Sequence, residues 1–392
     1  MNKSLILQIE YFLLHFLHWA IFAIPAGFSS TFLLDMGYSN SSVGIVTALF
    51  ALLSFILQPI LANRIDLSKK NILMPILSIM SYVVFACFVA ICIIPPGLLA
   101  VILFIIIGSL FYSYQPLINA IIPKAKEGGY EIQYGPCRAG GCIGYAITAA
   151  VLGTLALEYG VKIIMAIGAI LIALLIIVVH LIQKIIGNID NTNASREEDI
   201  PFKLFLKRHF LFVILCASVV LIFYSNCITS TYLLQIVDRI GGDSSDMGKM
   251  LGFMASYEVI PMVLSPLLMK KISKKFLASF SASCFVLKIA VIALCQDITS
   301  LYLAQSLQML GFPLFMAVMV SLVGDLLVGK EAVRGQALFA MAITAANILA
   351  SITGGAVIDL FSVSFLLYLS IAISAIGALV FIFVIRFDNQ RF

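Results

Sequence analysis

Apolar positions run through this chain in long blocks rather than in the alternating rhythm of a soluble core. Roughly 20 apolar residues are enough for a helix to cross a bilayer. Twelve segments reach that length: 8–33, 42–62, 72–94, 98–121, 136–157, 162–185, 209–235, 247–269, 276–295, 299–323, 336–358 and 363–385. The breaks are short and carry turn residues, as at Pro95-Pro96-Gly97, Gly128-Gly129 and Gly241-Gly242. One polar stretch is longer: it contains NIDNTNASREEDIP and separates six spans from six. The pattern predicts an all-α integral membrane protein of twelve transmembrane helices in two six-helix bundles. Their bounds are 1–186 for the first bundle, 187–208 for a cytoplasmic linker and 209–392 for the second.

Charge placement orients the spans, because lysine and arginine favour cytoplasmic loops. With the N-terminus inside, nineteen of the 24 basic residues fall in cytoplasmic segments. Lys162, Arg239 and Lys249 fall outside, and Arg138 and Lys288 lie within the membrane. Both termini are therefore expected in the cytoplasm, with the chain multi-pass in the inner (plasma) membrane. The first segment is too long and aromatic for a cleaved signal and reads as span one.

Composition agrees. The 392 residues are 62% hydrophobic and only 11% charged, whereas soluble domains carry about 25% charged residues. The net charge of +5 does not point to nucleic acid, since the basic residues sit in short loops between apolar runs. The expected partners are the lipid bilayer and a small-molecule substrate, and the expected state is a monomer. Eight cysteines lie within the spans, with no CxxC and no Cys/His cluster. They read as small buried hydrophobes, so no metal or cofactor is expected. No Walker motif, GxSxG, HExxH or catalytic carboxylate pair occurs, which argues against ATP-driven transport within this chain and against an enzyme.

The two halves echo one another. Pro59 in Leu57-Gln-Pro-Ile-Leu61 and Pro266 in Leu264-Ser-Pro-Leu-Leu268 are 207 positions apart, each run ending in a lysine pair. Ala146-Ile-Thr-Ala-Ala150 recurs as Ala342-Ile-Thr-Ala-Ala346, 196 positions later, the same offset as from Arg138 to Arg334. Such agreement near half the chain length predicts a tandem duplication of a six-span unit. Parallel repeats of this kind place the ligand between the halves, near the membrane midplane.

Polar residues inside the spans are the candidates for chemistry. Tyr134-Gly-Pro-Cys-Arg-Ala-Gly-Gly-Cys-Ile-Gly-Tyr145 sets Arg138 one turn into a helix, among small residues that cannot cover its charge. Arg138 either snorkels to the cytoplasmic surface or lines a site. Glu258 lies mid-way along span eight and Lys288 mid-way along span nine. Together they form either a static charge pair or one that a proton can break. Gln115 and Asn119 share one face of span four, and Asn226, Gln308 and Asn347 stand in spans seven, ten and eleven. Such amides suit a hydroxyl-rich ligand or simply join helices. His15, His18, Trp19 and Glu10 in span one form a weaker set, because single histidines in apolar helices are usually packing residues; if protons couple transport, Glu258 or one of Glu10, His15 and His18 carries them. Asp66 reads as a solvated loop charge, and the sequons at Asn40 and Asn193 decide nothing.

Twelve spans in two repeats, with basic loops after spans two and eight, resemble the major facilitator superfamily. Gln58-Pro-Ile-Leu-Ala-Asn-Arg-Ile-Asp66 with Lys69-Lys70 is similar to its loop motif, with Ala62 in place of the usual glycine. Tyr-Gly-x-x-Arg-x-x-Gly-Cys-x-Gly-Tyr resembles the fifth helix of lactose permease and its oligosaccharide:proton symporter relatives. The resemblance extends to the Leu-Gln-Met-Leu-Gly-Phe-Pro313 run and to Lys288, where that family has arginine. It implies sugar contacts at Arg138, Cys142 and Tyr145, and an essential carboxylate at Glu258. Glu258-Val-Ile-Pro-Met262 also resembles the sugar efflux transporters. Departures remain: Ala120, beside Asn119, stands where a carboxylate would pair with Arg138. Gln308 and Gly311 replace the histidine and glutamate of span ten, and Tyr224 and Asn226 stand where span seven has aspartates.

The resulting expectation is a secondary active transporter that moves a small polar solute by alternating access. Substrate contacts are expected at Arg138, Asn119, Gln115, Cys142, Tyr145, Asn226 and Gln308, and proton coupling at Glu258 and Lys288. The solute class is sugar, oligosaccharide or nucleoside-like. A partnerless Arg138 makes an anionic group on it reasonable. The nearest alternative is a proton-driven exporter of sugars or drugs, followed by a membrane sensor that transports nothing.

Overall fold

The computed structural model describes residues 3–68, 70–187, 189, 202–327 and 330–387. Most of the expected linker, with Asn193, lies outside these residues, as do Lys69 and the side chain of Asp66. Among the described residues there are helices and no strands. In chain order they are α1 (Lys3–Gly27), α2 (Ser29–Asp35), α3 (Asn40–Leu67), α4 (Leu73–Ile93), α5 (Leu98–Asn119), α6 (Ile121–Glu127), α7 (Tyr134–Tyr159), α8 (Lys162–Ile186) and α9 (Phe202–Arg208). They continue as α10 (Phe210–Thr231), α11 (Leu233–Asp238), α12 (Ser244–Lys271), α13 (Lys274–Leu294), α14 (Ile298–Ser306), α15 (Phe312–Leu326), α16 (Lys330–Leu360) and α17 (Val363–Phe387).

Among the described residues, eleven segments are long and apolar enough to cross a membrane, and α12 supplies a twelfth if its two halves count as one span. It bends by 45° between Ser244–Pro261 and Leu264–Lys271. Pro261 and Pro266 remove two backbone donors there, which loosens the helical ladder. Several spans read from sequence as continuous are interrupted. The first breaks at Phe28, three residues past Pro25, and the fourth at Ala120, four past Pro116. The tenth is split by a 3-10 turn at Leu307–Met309, just before Pro313 in the first turn of α15.

The chain forms two compact units. The first holds α1, α2, α3 from Val46 onward, α4 to α8, and the start of α12 (Asp243–Ala255). The second holds Ser39–Ile45, α9 to α11, α12 from Ser256 onward, and α13 to α17. Two short segments thus cluster with the opposite half of the sequence. Inside the first unit α1 packs on α7 and α8, and α4 on α8 and α5. Inside the second α10 packs on α16 and α17, and α13 on α17 and α15. The same pairing order in each unit is the duplicated design seen in the sequence.

Glycine sets the closest approaches in the first unit. A Cβ at Gly140 would lie 2.6 Å from the Phe12 ring, and one at Gly144 would strike the Phe16 carbonyl. Farther along α7, a Cβ at Gly153 would sit 2.8 Å from Gly248 Cα, and one at Gly248 2.5 Å from the Ala149 carbonyl. Gln8 registers the two helices: its side-chain oxygen accepts from Gln133 N at 2.7 Å and its amide donates to Gln133 O at 3.1 Å. In the second unit, Asp359 accepts hydrogen bonds from Asn40 N (3.2 Å) and Ser41 N (2.7 Å), satisfying amides at the start of α3.

These contacts predict opposite outcomes for two identical substitutions. Gly144→Ala should lower stability by about 1–3 kcal/mol through overpacking. Gly324→Ala, with open space around it, should raise it by up to about 1 kcal/mol through helix propensity. Thermal unfolding of the purified variants in detergent reads both.

Candidate functional site

In the first unit the site grows from the glycines of α7. Gly141 lacks a side chain, and a Cβ there would lie 2.5 Å from Trp19. That vacancy seats the Trp19 indole against α7, and Arg138, one turn earlier, lies across it with its guanidinium carbon 4.1 Å from the ring centre. A cation over an indole face is held by the ring quadrupole. Arg138 Nη1 also donates to Cys142 Sγ at 3.3 Å. The Tyr145 ring stands 6.5 Å from that of Trp19 at a steep angle. Arg138, Cys142 and Tyr145, expected from sequence at one place, therefore meet around Trp19. Among the described ion pairs none involves Arg138.

Gln115 and Asn119 use part of their capacity on each other: Gln115 Nε2 donates to Asn119 Oδ1 at 2.9 Å. Gln115 Oε1 is buried with no hydrogen-bond partner among the described residues. Tyr112, on the same helix, takes a bond from Gln58 Nε2 to its backbone carbonyl at 3.0 Å, which fixes α5 against α3.

In the second unit a single hydrogen-bonded chain joins the charged residues. Lys288 is only 3% exposed, and its Nζ donates to Gln308 Oε1 at 2.5 Å and to Thr229 Oγ1 at 3.4 Å. Gln308 Nε2 in turn donates to Glu258 Oε1 at 3.3 Å. The Thr229 hydroxyl donates to the Asn226 carbonyl at 2.9 Å, and Asn226 Oδ1 is buried without a partner among the described residues. The two charges read from sequence as a possible direct pair are thus linked through an amide. The broken tenth span explains the geometry, because Gln308 sits in its 3-10 turn.

The polarity of this chain leaves no choice of amide orientation. An ammonium can only donate, so it takes the oxygen of Gln308, and the amide nitrogen is left to face the carboxylate. Neutralising Glu258 would weaken one end of the chain while Lys288 still held the other. Such an arrangement responds to a proton without an ion pair having to break.

Thr229 was not a candidate from sequence, although it follows Asn226 by three residues and so shares its helix face. Gln305, 0% exposed with both amide atoms unpartnered among the described residues, was also missed. Asn347 lies beside Ser351 in α16, whose hydroxyl donates to its Oδ1 at 3.5 Å.

Tandem repeats of apolar helices with isolated charges within their spans fit a transporter of the major facilitator superfamily. The chain belongs to the MFS_1 like family, whose model matches residues 7–369. No curated protein sequence matches it. Among solved structures, a point mutant of the nucleoside transporter NupG is similar at a TM-score of 0.83 and 15% identity, covering 96% of this chain and 99% of that one. A bacterial homologue of the human lysosomal transporter Spinster, in an inward-facing and unoccupied conformation, is similar at 0.77 and 10% identity, covering 100% and 98%. The peptide transporter POT in complex with sulfate is similar at 0.74 and 13% identity, covering 99% and 94%. At these identities the likeness is one of fold.

The bridge predicts an asymmetry between its members. Gln308→Leu strips Lys288 of its nearest acceptor and should cost about 2–4 kcal/mol, whereas Lys288→Met removes the buried charge itself and should be near neutral or stabilising. Comparing their unfolding temperatures decides this.

Proposed function

We propose that this transporter is proton-coupled and moves a sugar, oligosaccharide or nucleoside-like solute, including members with a negative charge. The observation that carries this reading is the Glu258–Gln308–Lys288 chain. Glu258 is the residue that titrates, and Gln308 passes its charge state to Lys288. When Glu258 takes a proton, the amide loses a charged acceptor, and Gln308 and Lys288 become free to turn toward solute hydroxyls or an anionic group.

Substrate recognition falls to Arg138, Cys142 and Tyr145 around Trp19, with Gln115, Asn119, Asn226 and Gln308 as amide contacts. Arg138 and the Trp19 and Tyr145 rings suit a solute that has both a flat face and hydroxyl or anionic groups. The fold likeness to a nucleoside transporter supports including nucleosides in the class. The basic loops support a reading with the chain in the inner membrane and both termini cytoplasmic, and the reading takes the transporter as a monomer.

The test has two stages. The purified protein is screened by thermal unfolding against neutral sugars, nucleosides and their uronate or phosphate derivatives, because a bound ligand raises stability by about 2.7 kcal/mol at a hundred times its Kd. A compound that stabilises is then followed in proteoliposomes under an imposed proton gradient. Glu258→Gln should abolish uphill accumulation while exchange between equal concentrations survives. Full accumulation by Glu258→Gln would refute the coupling assignment. Repeating the measurement with the gradient reversed separates import from export.

A further inference from the structure

Three titratable groups on α1 lie outside the reading above: Glu10, His15 and His18. His15 is 0% exposed and His18 1% exposed, and Glu10 is buried as well. Among the described residues, both ring nitrogens of His15, Nδ1 of His18 and Oε2 of Glu10 have no hydrogen-bond partner. Leaving one such group unpaired costs about 1–3 kcal/mol. A packing role would be met more cheaply by leucine.

Aromatic rings surround His18. Its ring lies nearly parallel to Phe111 (5.5 Å, 8°) and Tyr114 (5.7 Å, 15°), edge-on to Trp19 (5.7 Å, 81°) and 6.0 Å from Phe22. Aromatic cages of this kind stabilise a buried positive charge through ring quadrupoles. One face of that cage is Trp19, the ring on which Arg138 rests. His15 stands one turn nearer the N-terminus, against Tyr11 (4.8 Å) and Tyr134 (5.8 Å). Along the helix the steps from Glu10 to His15 and from His15 to His18 are about 7.5 Å and 4.5 Å.

The geometry points to His18 as a proton-binding site in the first unit, whose charge state is transmitted to Arg138 through the shared Trp19 ring. A proton drawn from solvent comes to rest on the His18 imidazole. The imidazolium then competes with the guanidinium for the same indole and repels it, so Arg138 leaves the ring and turns to an anion. By linkage, anything that neutralises Arg138 must raise the proton affinity of His18 by the same factor.

The elements packed on α1 are α2, α5, α7 and α8. From α7 come Tyr134, Cys137 and Arg138, and from α5 Tyr112 and Tyr114. Lys162 and Lys184 lie at the two ends of α8, and His180 is held by Tyr82 and the Ile176 carbonyl. Asp35 ends α2. Arg138 is thus the cation that His18 must contend with.

Trp19 is the only tryptophan in the sequence, so indole emission reports this site alone. An imidazolium quenches a neighbouring indole and a neutral imidazole does not. In the purified full-length protein, emission should fall as pH is lowered from about 7 to about 4. His18→Gln should remove the transition, and His15→Gln should slow or shift it. Arg138→Met, which leaves both histidines in place, should move the midpoint up by about one pH unit or more. Flat emission in the unaltered protein, a transition that survives His18→Gln, or an Arg138→Met midpoint that does not move would each overturn the proposal. Glu258→Gln separates the two assignments, because loss of proton-driven flux there with the Trp19 transition intact leaves this one standing.

Discussion

A charge inside an apolar span has to be compensated within reach of its own side chain, since neither lipid nor distant loops can do so. This chain meets that constraint twice without relying on a described carboxylate pair. Arg138 rests on an indole face and a thiol; Lys288 donates to an amide oxygen and a hydroxyl. Neutral partners hold a cation more loosely than a counter-ion does, and they leave its field unquenched. Both sites therefore remain sensitive to any charge that arrives, whether a proton or an anionic ligand.

Backbone features deliver those partners. In the first unit, glycines at Gly140, Gly141 and Gly144 let α1 come close enough for Trp19 to slide beneath Arg138. In the second, Pro313 interrupts the tenth span, and the resulting 3-10 turn carries Gln308 to Lys288. Each site thus depends on a residue that contributes no polar atom to it.

Much of the fold was legible because the hydrophobic pattern is dictated by bilayer thickness, a single length repeated twelve times. The duplication was legible too, through Arg138 and Arg334 and the paired prolines. The glycine and arginine run of α7 marked a candidate site, because a charge among small residues must either snorkel or find a partner. What escaped was the identity of partners. Nothing local ties Trp19 to Arg138 across more than a hundred residues, or Gln308 to Lys288 rather than Glu258 to Lys288. Those pairings are settled by how helices rotate against each other. The breaks after Pro25 and Pro116 were equally hidden, since proline in a membrane helix kinks, breaks or is absorbed according to its neighbours. His15 and His18 stood only as a weak set, because their burial among rings is a property of tertiary structure alone.

The contact of Gly153 with Gly248 brings α7 and the start of α12 to main-chain distance, with the Ala149 carbonyl beside it. Short hydroxyls rim the contact: Ser244 Oγ donates to the Gly153 carbonyl at 3.4 Å, and Thr154 Oγ1 lies 3.1 Å from Ser245 Oγ. Only small side chains are ordered there, so the seam costs little side-chain entropy and is specified by shape.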